Sequence, residues 1–263
     1  MPNSDPARGG IWMSRTENAP EILIRSCSSH DEQRLCVDLQ RRIWNFADED
    51  LVPPAIFVVA QHTGGHAYCA FHDGKAVGFA LAFSAETGGR RFWHSHMVGV
   101  LPDFQNRGVG RMLKSHQREE ALRAGVPTIE WTFDPLEPPN AYFNIARLGA
   151  IVRHYIPNCY GGSTSPLHGG LPTDRLAAEW HVASERVKER LAGISIPLSG
   201  FSTVEIPVPI AIREWRVSDI VRAQEIQSEL RNKFMDLFAR SYAATGFRQE
   251  PEQCVYILER YED

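Results

Sequence analysis

Two histidines one residue apart, His94 and His96, lie upstream of a glycine-rich turn, Gln105-Asn106-Arg107-Gly108-Val109-Gly110, followed by Arg111. The turn sits between a strand-like and a helix-like segment. There, successive backbone N–H groups and the positive end of a helix can converge on a pyrophosphate. Gly108 and Gly110 have no Cβ and so permit close backbone approach. Arg107 and Arg111 can add charge-assisted hydrogen bonds. Two other phosphate-binding patterns fail: nothing fits G-x-x-x-x-G-K-[ST], and Leu113 stands where G-x-G-x-x-G needs its third glycine. A glycine-rich loop that only turns the chain remains the alternative.

The histidines suit proton transfer. An imidazole that titrates near neutrality can accept a proton from an amine nucleophile. Strand alternation would put His94, His96, Val98 and Val100 on one face. A metal pair is the competing use, but no third ligand with matching spacing lies nearby, so no metal is expected. Glu130, on the next strand-like segment, is a second candidate base, unless it is merely solvated or ion-paired.

These residues need a scaffold, and periodicity supplies one. Glu21 to Arg25 reads as a strand. Ser29 and Glu32 have capping-box spacing ahead of Leu35, Leu39, Ile43 and Phe46, which repeat as in a helix. Asp73-Gly74 marks a hairpin between two apolar runs. Arg91 to Val100 reads as a strand, Gly108 to Ala124 as a helix, and Thr128 to Asp134 as a strand. A short helix over "NAYFNIARLGA" ends at Gly149. Leu176, Ala178, Trp180 and Val182 alternate with Ala177, Glu179 and His181, predicting a half-exposed strand. An edge strand around "STVEI", one long helix from about Asp219 to Tyr242 and a closing strand pair complete the chain.

Composition narrows the classes. The 263 residues are 43% hydrophobic and 23% charged, ordinary for a globular protein. A net charge of −4 without a Lys/Arg block gives no reason to expect nucleic acid. No apolar run reaches the length of a membrane span. Residues 1–20 lack signal-peptide character and read as a flexible tail, so a cytoplasmic location is expected. The five cysteines are odd in number and lack a C-x-x-C pair, which favours reduced thiols over a disulfide framework or structural zinc.

The segment from Val98-Gly99-Val100 through Gln105–Gly110 resembles motif A of the GNAT acetyltransferase superfamily, a strand ending Φ-x-V followed by [RQ]-x-x-G-x-[GA] and a helix. That resemblance implies an α/β (α+β) fold with a mixed, mostly antiparallel sheet flanked by helices. It spans residues 21–182, with 183–263 as a C-terminal extension or accessory subdomain. It also implies acetyl-CoA or another acyl-CoA as cosubstrate. The backbone of Val98, Gly99 and Val100 would meet the pantetheine arm, and Gln105, Asn106, Arg107, Gly108, Val109, Gly110 and Arg111 the pyrophosphate. His94-Ser-His96-Met-Val98-Gly-Val100 matches the H-x-H-x-Φ-x-V of an arylalkylamine branch, whose histidines relay the amine's proton; His96 is therefore placed ahead of Glu130.

The family's usual acid, a Tyr before L-G-[FA], is replaced here by Ile145, and Tyr142 is the substitute on offer. Asn140 and Asn144 could reach pantetheine amides, although Asn140 could instead cap its helix. The implied reaction is acyl transfer to a small-molecule amine, with a homodimer possible. Arg147, Arg153, His168 and Arg175 hint at a carboxylate on the acceptor or acyl group; Tyr155, Tyr160 and Trp180 suit an aromatic acceptor equally. A non-catalytic acyl-CoA sensor or assembly module, or an N-succinyltransferase acting on amino acids, are the alternatives.

Overall fold

A computed structural model describes residues 21–161, 170–194, 196 and 203–261. The expected tail over residues 1–20, His168 and the first residues of "STVEI" lie outside them. The chain divides into two compact units on either side of Ala124 and Gly125. The strands at 128–133, 151–156 and 175–181 therefore share a unit with the residues beyond 183.

In the first unit, strands β1 (Leu23–Ser26), β2 (His66–His72), β3 (Lys75–Thr87) and β4 (Arg90–Val100) pair in chain order, each antiparallel to the next. Asp73 and Gly74 both take positive φ in the β2–β3 hairpin, as their types anticipate. Helix α1 (His30–Trp44) starts at Ser29, whose side chain accepts from the Glu32 N–H. "AIFVVAQ" forms α2 (Pro54–His62), with proline in its first turn.

Cross-strand partners share a face, so the pairs Phe79↔Gly99 and Gly78↔Val100 look in opposite directions. A Cβ on Gly99 would meet Ile43 and Trp44 of α1, whereas one on Gly78 would meet Leu113 of α3 (Val109–Arg123). Helix α1 thus covers one face of these strands and α3 the other. The core between them is apolar, with Phe57, Phe79, Leu39 and Leu113 fully or almost fully buried.

The second unit orders its strands β5 (Thr128–Phe133), β7 (Arg175–His181), β6 (Ile151–Ile156), β9 (Tyr242–Gln249), β10 (Gln253–Arg260) and β8 (Val204–Pro209), all antiparallel. β7 is flanked by strands on both sides, and the alternation expected of a half-exposed strand fails at Glu179, which is buried. Its charge is met by Arg153, with Nε–Oε1 at 3.1 Å and a second contact at 2.6 Å. The expected short helix before Gly149 is one turn of α-helix, α4 (Pro138–Ala141), continued by a π-helix over Tyr142–Arg147, where the Leu148 N–H reaches the Phe143 carbonyl.

After the short helix α5 (Glu185–Leu191) and β8 comes a helix that the periodicity did not announce, α6 (Ile212–Ser218), followed by the long helix expected from about Asp219, α7 (Ile220–Ala239). Asp219 separates them and caps α7 by accepting from the Arg222 N–H. Tyr242, expected within that helix, instead opens β9. Phe234 of α7 packs on Tyr155 and Tyr256, and Arg231 grips the fully buried Asp174 with two hydrogen bonds. No helix among the described residues is long and apolar enough to cross a membrane.

Gly99 lies where α1 sits closest to β4. A Cβ there would come within 2.9 Å of Ile43 and Trp44 and 3.1 Å of Phe79. Gly99→Ala should cost about 1–3 kcal/mol by overpacking, read as a lower urea midpoint; an unchanged midpoint would show that α1 can retreat freely.

Candidate functional site

β4 is held to β3 along its whole length, but the pairing breaks once. Ser95 pairs with Ala82 and Met97 with the adjacent Leu81, leaving His96 as an extra residue in a β-bulge. The sequence-based expectation that His94, His96, Val98 and Val100 share a face is corrected here. His94 pairs with Phe83, and the His96 ring lies 5.5 Å from Phe83 and 6.1 Å from His94. Val98 and Val100, opposite Ala80 and Gly78, fall on the α3 side instead. The bulge inverts the alternation between the histidines and the valines.

Both imidazoles titrate below the usual histidine value. Desolvation by the surrounding protein lowers His94, with the Lys114 charge adding to it; desolvation and then the neighbouring His94 lower His96. His96 nevertheless keeps an exposed edge. Both are therefore mostly neutral at pH 7, the form that accepts a proton.

Beyond β4, Leu101 is buried and its N–H bonds the Val77 carbonyl at 2.9 Å. A 3-10 turn over Pro102–Phe104 follows, with Phe104 edge-on to His72 and Arg107 over the Phe104 ring. The Gln105 side chain donates to the Val100 carbonyl at 3.0 Å, tying the loop back to the strand end. Asn106 and Gly108 have φ of 58° and 84°. A Cβ on Gly108 would meet nothing within 4 Å, so the backbone angle demands the glycine while the space above it stays open.

Helix α3 begins there, and its first turn differs from those of α1, α5 and α7. Those helices have a Ser or Asp side-chain cap, whereas α3 has no side-chain cap and no acidic residue in its first turn. Gln105 to Gly108 are exposed, and Val109, just inside the helix, is buried and anchors it. The start of α3 is therefore an exposed helix N-terminus beside Arg107, without a side-chain cap or an acidic residue in its first turn.

Behind the bulge lies a polar network that the sequence reading did not single out. Lys114 is buried, and its Nζ donates to Ser95 Oγ at 2.9 Å and to Gln117 Oε1 at 3.0 Å. Gln117 Nε2 also lies 2.7 Å from His66 Nε2 and 3.2 Å from Ser95 Oγ. Burial pushes the Lys114 amine well below its ordinary range and His66 down to about 3. The available sequence signal was the i, i+3 spacing of Lys114 and Gln117 on the face of α3 that carries Leu113.

The other candidate residues belong to the second unit. Glu130, partly buried on β5, pairs across the ladder with Glu179. Asn140 is exposed but lies inside α4, whose N-cap position is Glu137, so it does not cap the helix. Asn144 is buried. Tyr142 is partly buried and Ile145 fully so; on the π-helix they do not share a face, which corrects the expectation that Tyr142 simply replaces a residue at 145.

Among the acceptor hints, Arg153 is committed to Glu179, and Arg175 is buried and donates to the Asp174 carbonyl. Tyr155 is buried and donates to Asp174, and Trp180 is buried and donates to the Leu148 carbonyl. Those four residues are structural. Only Tyr160 of the three aromatics is exposed.

Residues 31–143 match the model of the acetyltransferase (GNAT) family. Solved structures share the fold over 62% of this chain. The ribosomal-protein-S18-alanine N-acetyltransferase of Escherichia coli matches over 97% of its own length with a TM-score of 0.51 and 19% identity. An N-acetyltransferase from Staphylococcus aureus matches over 99% of its length with a TM-score of 0.51 and 14% identity. YncA from Salmonella typhimurium, solved with its cofactor acetyl-CoA, matches over 95% of its length with a TM-score of 0.50 and 18% identity. No curated protein matches the sequence. The matched segment contains both the bulged strand and the glycine turn.

The depressed His66 pKa sets a pH dependence. Below pH 6.5 the unfolded chain protonates this imidazole while the folded chain resists until about 3, so stability falls as pH drops through that window. Between pH 6.5 and 4 the loss from this one group is about 3 kcal/mol. Urea unfolding at pH 7 and pH 4 should show a smaller acid loss for His66→Gln than for the wild type; equal losses would contradict the assignment.

Proposed function

We propose that this protein transfers an acetyl or other short acyl group from acyl-CoA to the amine of a small molecule. The observation that carries this reading is the bulge that frees His96 from its ladder, a few residues before an uncapped, glycine-led helix N-terminus. The match of the same segment to the acetyltransferase (GNAT) family model supports it. The H-x-H spacing shared with the arylalkylamine branch favours a small amine over a protein terminus.

Acyl-CoA supplies a thioester carbonyl open to attack and a thiolate leaving group. The N–H groups of Val109, Gly110 and Arg111, with Gln105, Asn106, Arg107 and Gly108, hold the pyrophosphate. The backbone of Val98, Gly99 and Val100 aligns the pantetheine arm. As the amine bonds to the carbonyl carbon, its surplus proton passes to neutral His96, and His94 beside it offers an onward path. Water protonates the departing thiolate, and the candidates Asn140, Tyr142 and Asn144, which belong to the second unit, carry no step here.

Calorimetry with acetyl-CoA and succinyl-CoA, paired with thiol release across amines and amino acids, tests the reading. Binding of neither donor at high micromolar concentration sinks it, and binding without turnover on any amine would favour an acyl-CoA sensor. His96→Ala should lower turnover by about 10²–10⁴ with little change in acyl-CoA affinity. It should also flatten the acidic limb of the pH–rate profile, which lies below 6.5 because desolvation lowers this imidazole. Arg107→Ala should mainly raise the acyl-CoA KM, since phosphate contacts already exist in the ground state.

A further inference from the structure

Three of the five cysteines meet in the core of the first unit, far from the glycine turn in sequence. Cys27 follows β1, Cys36 is on α1 and Cys69 is on β2, and all three are fully buried. Their sulfurs lie 2.8 Å (Cys27–Cys69), 3.3 Å (Cys36–Cys69) and 3.6 Å (Cys27–Cys36) apart. Among the described residues no histidine, carboxylate or further thiol joins this group.

The backbone fixes each position independently. The Cys27 N–H bonds the Ala67 carbonyl, and Gln61 Nε2 donates to the Cys27 carbonyl, both at 2.9 Å. Cys69 is paired on both sides, with Arg25 of β1 and Phe79 of β3. Arg25, in an ion pair with Glu32, brings positive charge beside the sulfurs.

We propose that Cys27, Cys36 and Cys69 form a three-thiolate site for a soft d10 metal ion, Zn(II) or Cu(I). Thiolate sulfurs bound to zinc at ~2.3 Å stand roughly 3.8 Å apart in a tetrahedron. The trio converges to within about an ångström of that spacing, which side-chain rotation supplies. An all-sulfur set excludes hard, oxygen-seeking ions such as Mg(II) and Ca(II). Cu(I) is satisfied by three sulfurs, whereas Zn(II) ordinarily takes a fourth ligand, which this fully buried trio does not supply, so Cu(I) is the better match. Binding replaces the three S–H protons, which leave to solvent. The ion joins β1, α1 and β2, and so adds to the stability of the scaffold under β3 and β4.

The full chain, purified under reducing, oxygen-free conditions and stripped with a chelator, is titrated with Zn(II), with buffered Cu(I) and with Co(II). One ion per chain should bind, with a thiolate-to-Co(II) charge-transfer band in the near ultraviolet. The better-bound of Zn(II) and Cu(I) should raise Tm by roughly 5–10 °C at a hundredfold excess over Kd. Cys36→Ser should weaken binding at least tenfold, and Cys159→Ser, outside the cluster, should leave it unchanged. If Cys36→Ser does not fold, the wild-type titration decides alone. Failure of both Zn(II) and Cu(I) to bind at one per chain overturns the proposal, as does a Co(II) complex lacking the charge-transfer band or undiminished binding in folded Cys36→Ser.

Discussion

One extra residue in the β3–β4 ladder organises the first unit. Where Ser95 and Met97 of β4 pair with adjacent residues of β3, His96 has no partner and the strand's facing inverts. Everything after the bulge looks the other way from what simple alternation gives. Met97 and Gly99 turn toward α1, while Val98 and Val100 turn toward α3. The long pairing on both sides of the break holds it in place, since slipping the register by one residue would bury or expose every side chain beyond it.

The network behind the bulge gives that break a fixed location. Lys114, Gln117, Ser95 and His66 are buried, and their polar groups are costly unless paired. An apolar core of the same volume could be as stable, so stability is a poor account of why a lysine lies beneath this strand. The hydrogen bond from Lys114 to Ser95 fixes the residue immediately before the bulge. The two imidazoles on the far side are thereby presented from a rigid strand rather than from a loop, as proton transfer requires.

Much of this was legible in the sequence because it rests on local chemistry. The Ser29 cap, the Asp73-Gly74 hairpin and the open backbone at Gly108 follow from what those residues do to their own backbone. The bulge was not legible: alternation is a default, and an inserted residue is revealed only by which partner each neighbour chooses. Alternation with Leu176, Ala178, Trp180 and Val182 puts Glu179 on a wet face, whereas its buried pairing with Arg153 depends on two strands meeting. The π-helix, the short helix α6 and the cysteine cluster are of the same kind. Cys27 and Cys69 are 42 residues apart and become neighbours only because Cys27 continues the β1–β2 pairing.

The central claim, that the glycine turn and bulged strand receive acyl-CoA, is read most directly by amide hydrogen exchange with and without acetyl-CoA. The N–H groups at the start of α3 have no side-chain cap and should exchange fast in the free protein. Bound acetyl-CoA should slow exchange in peptides covering residues 98–111 and leave those covering 242–260 unchanged. Protection confined to other segments, with residues 105–111 exchanging as fast as before, would contradict the account.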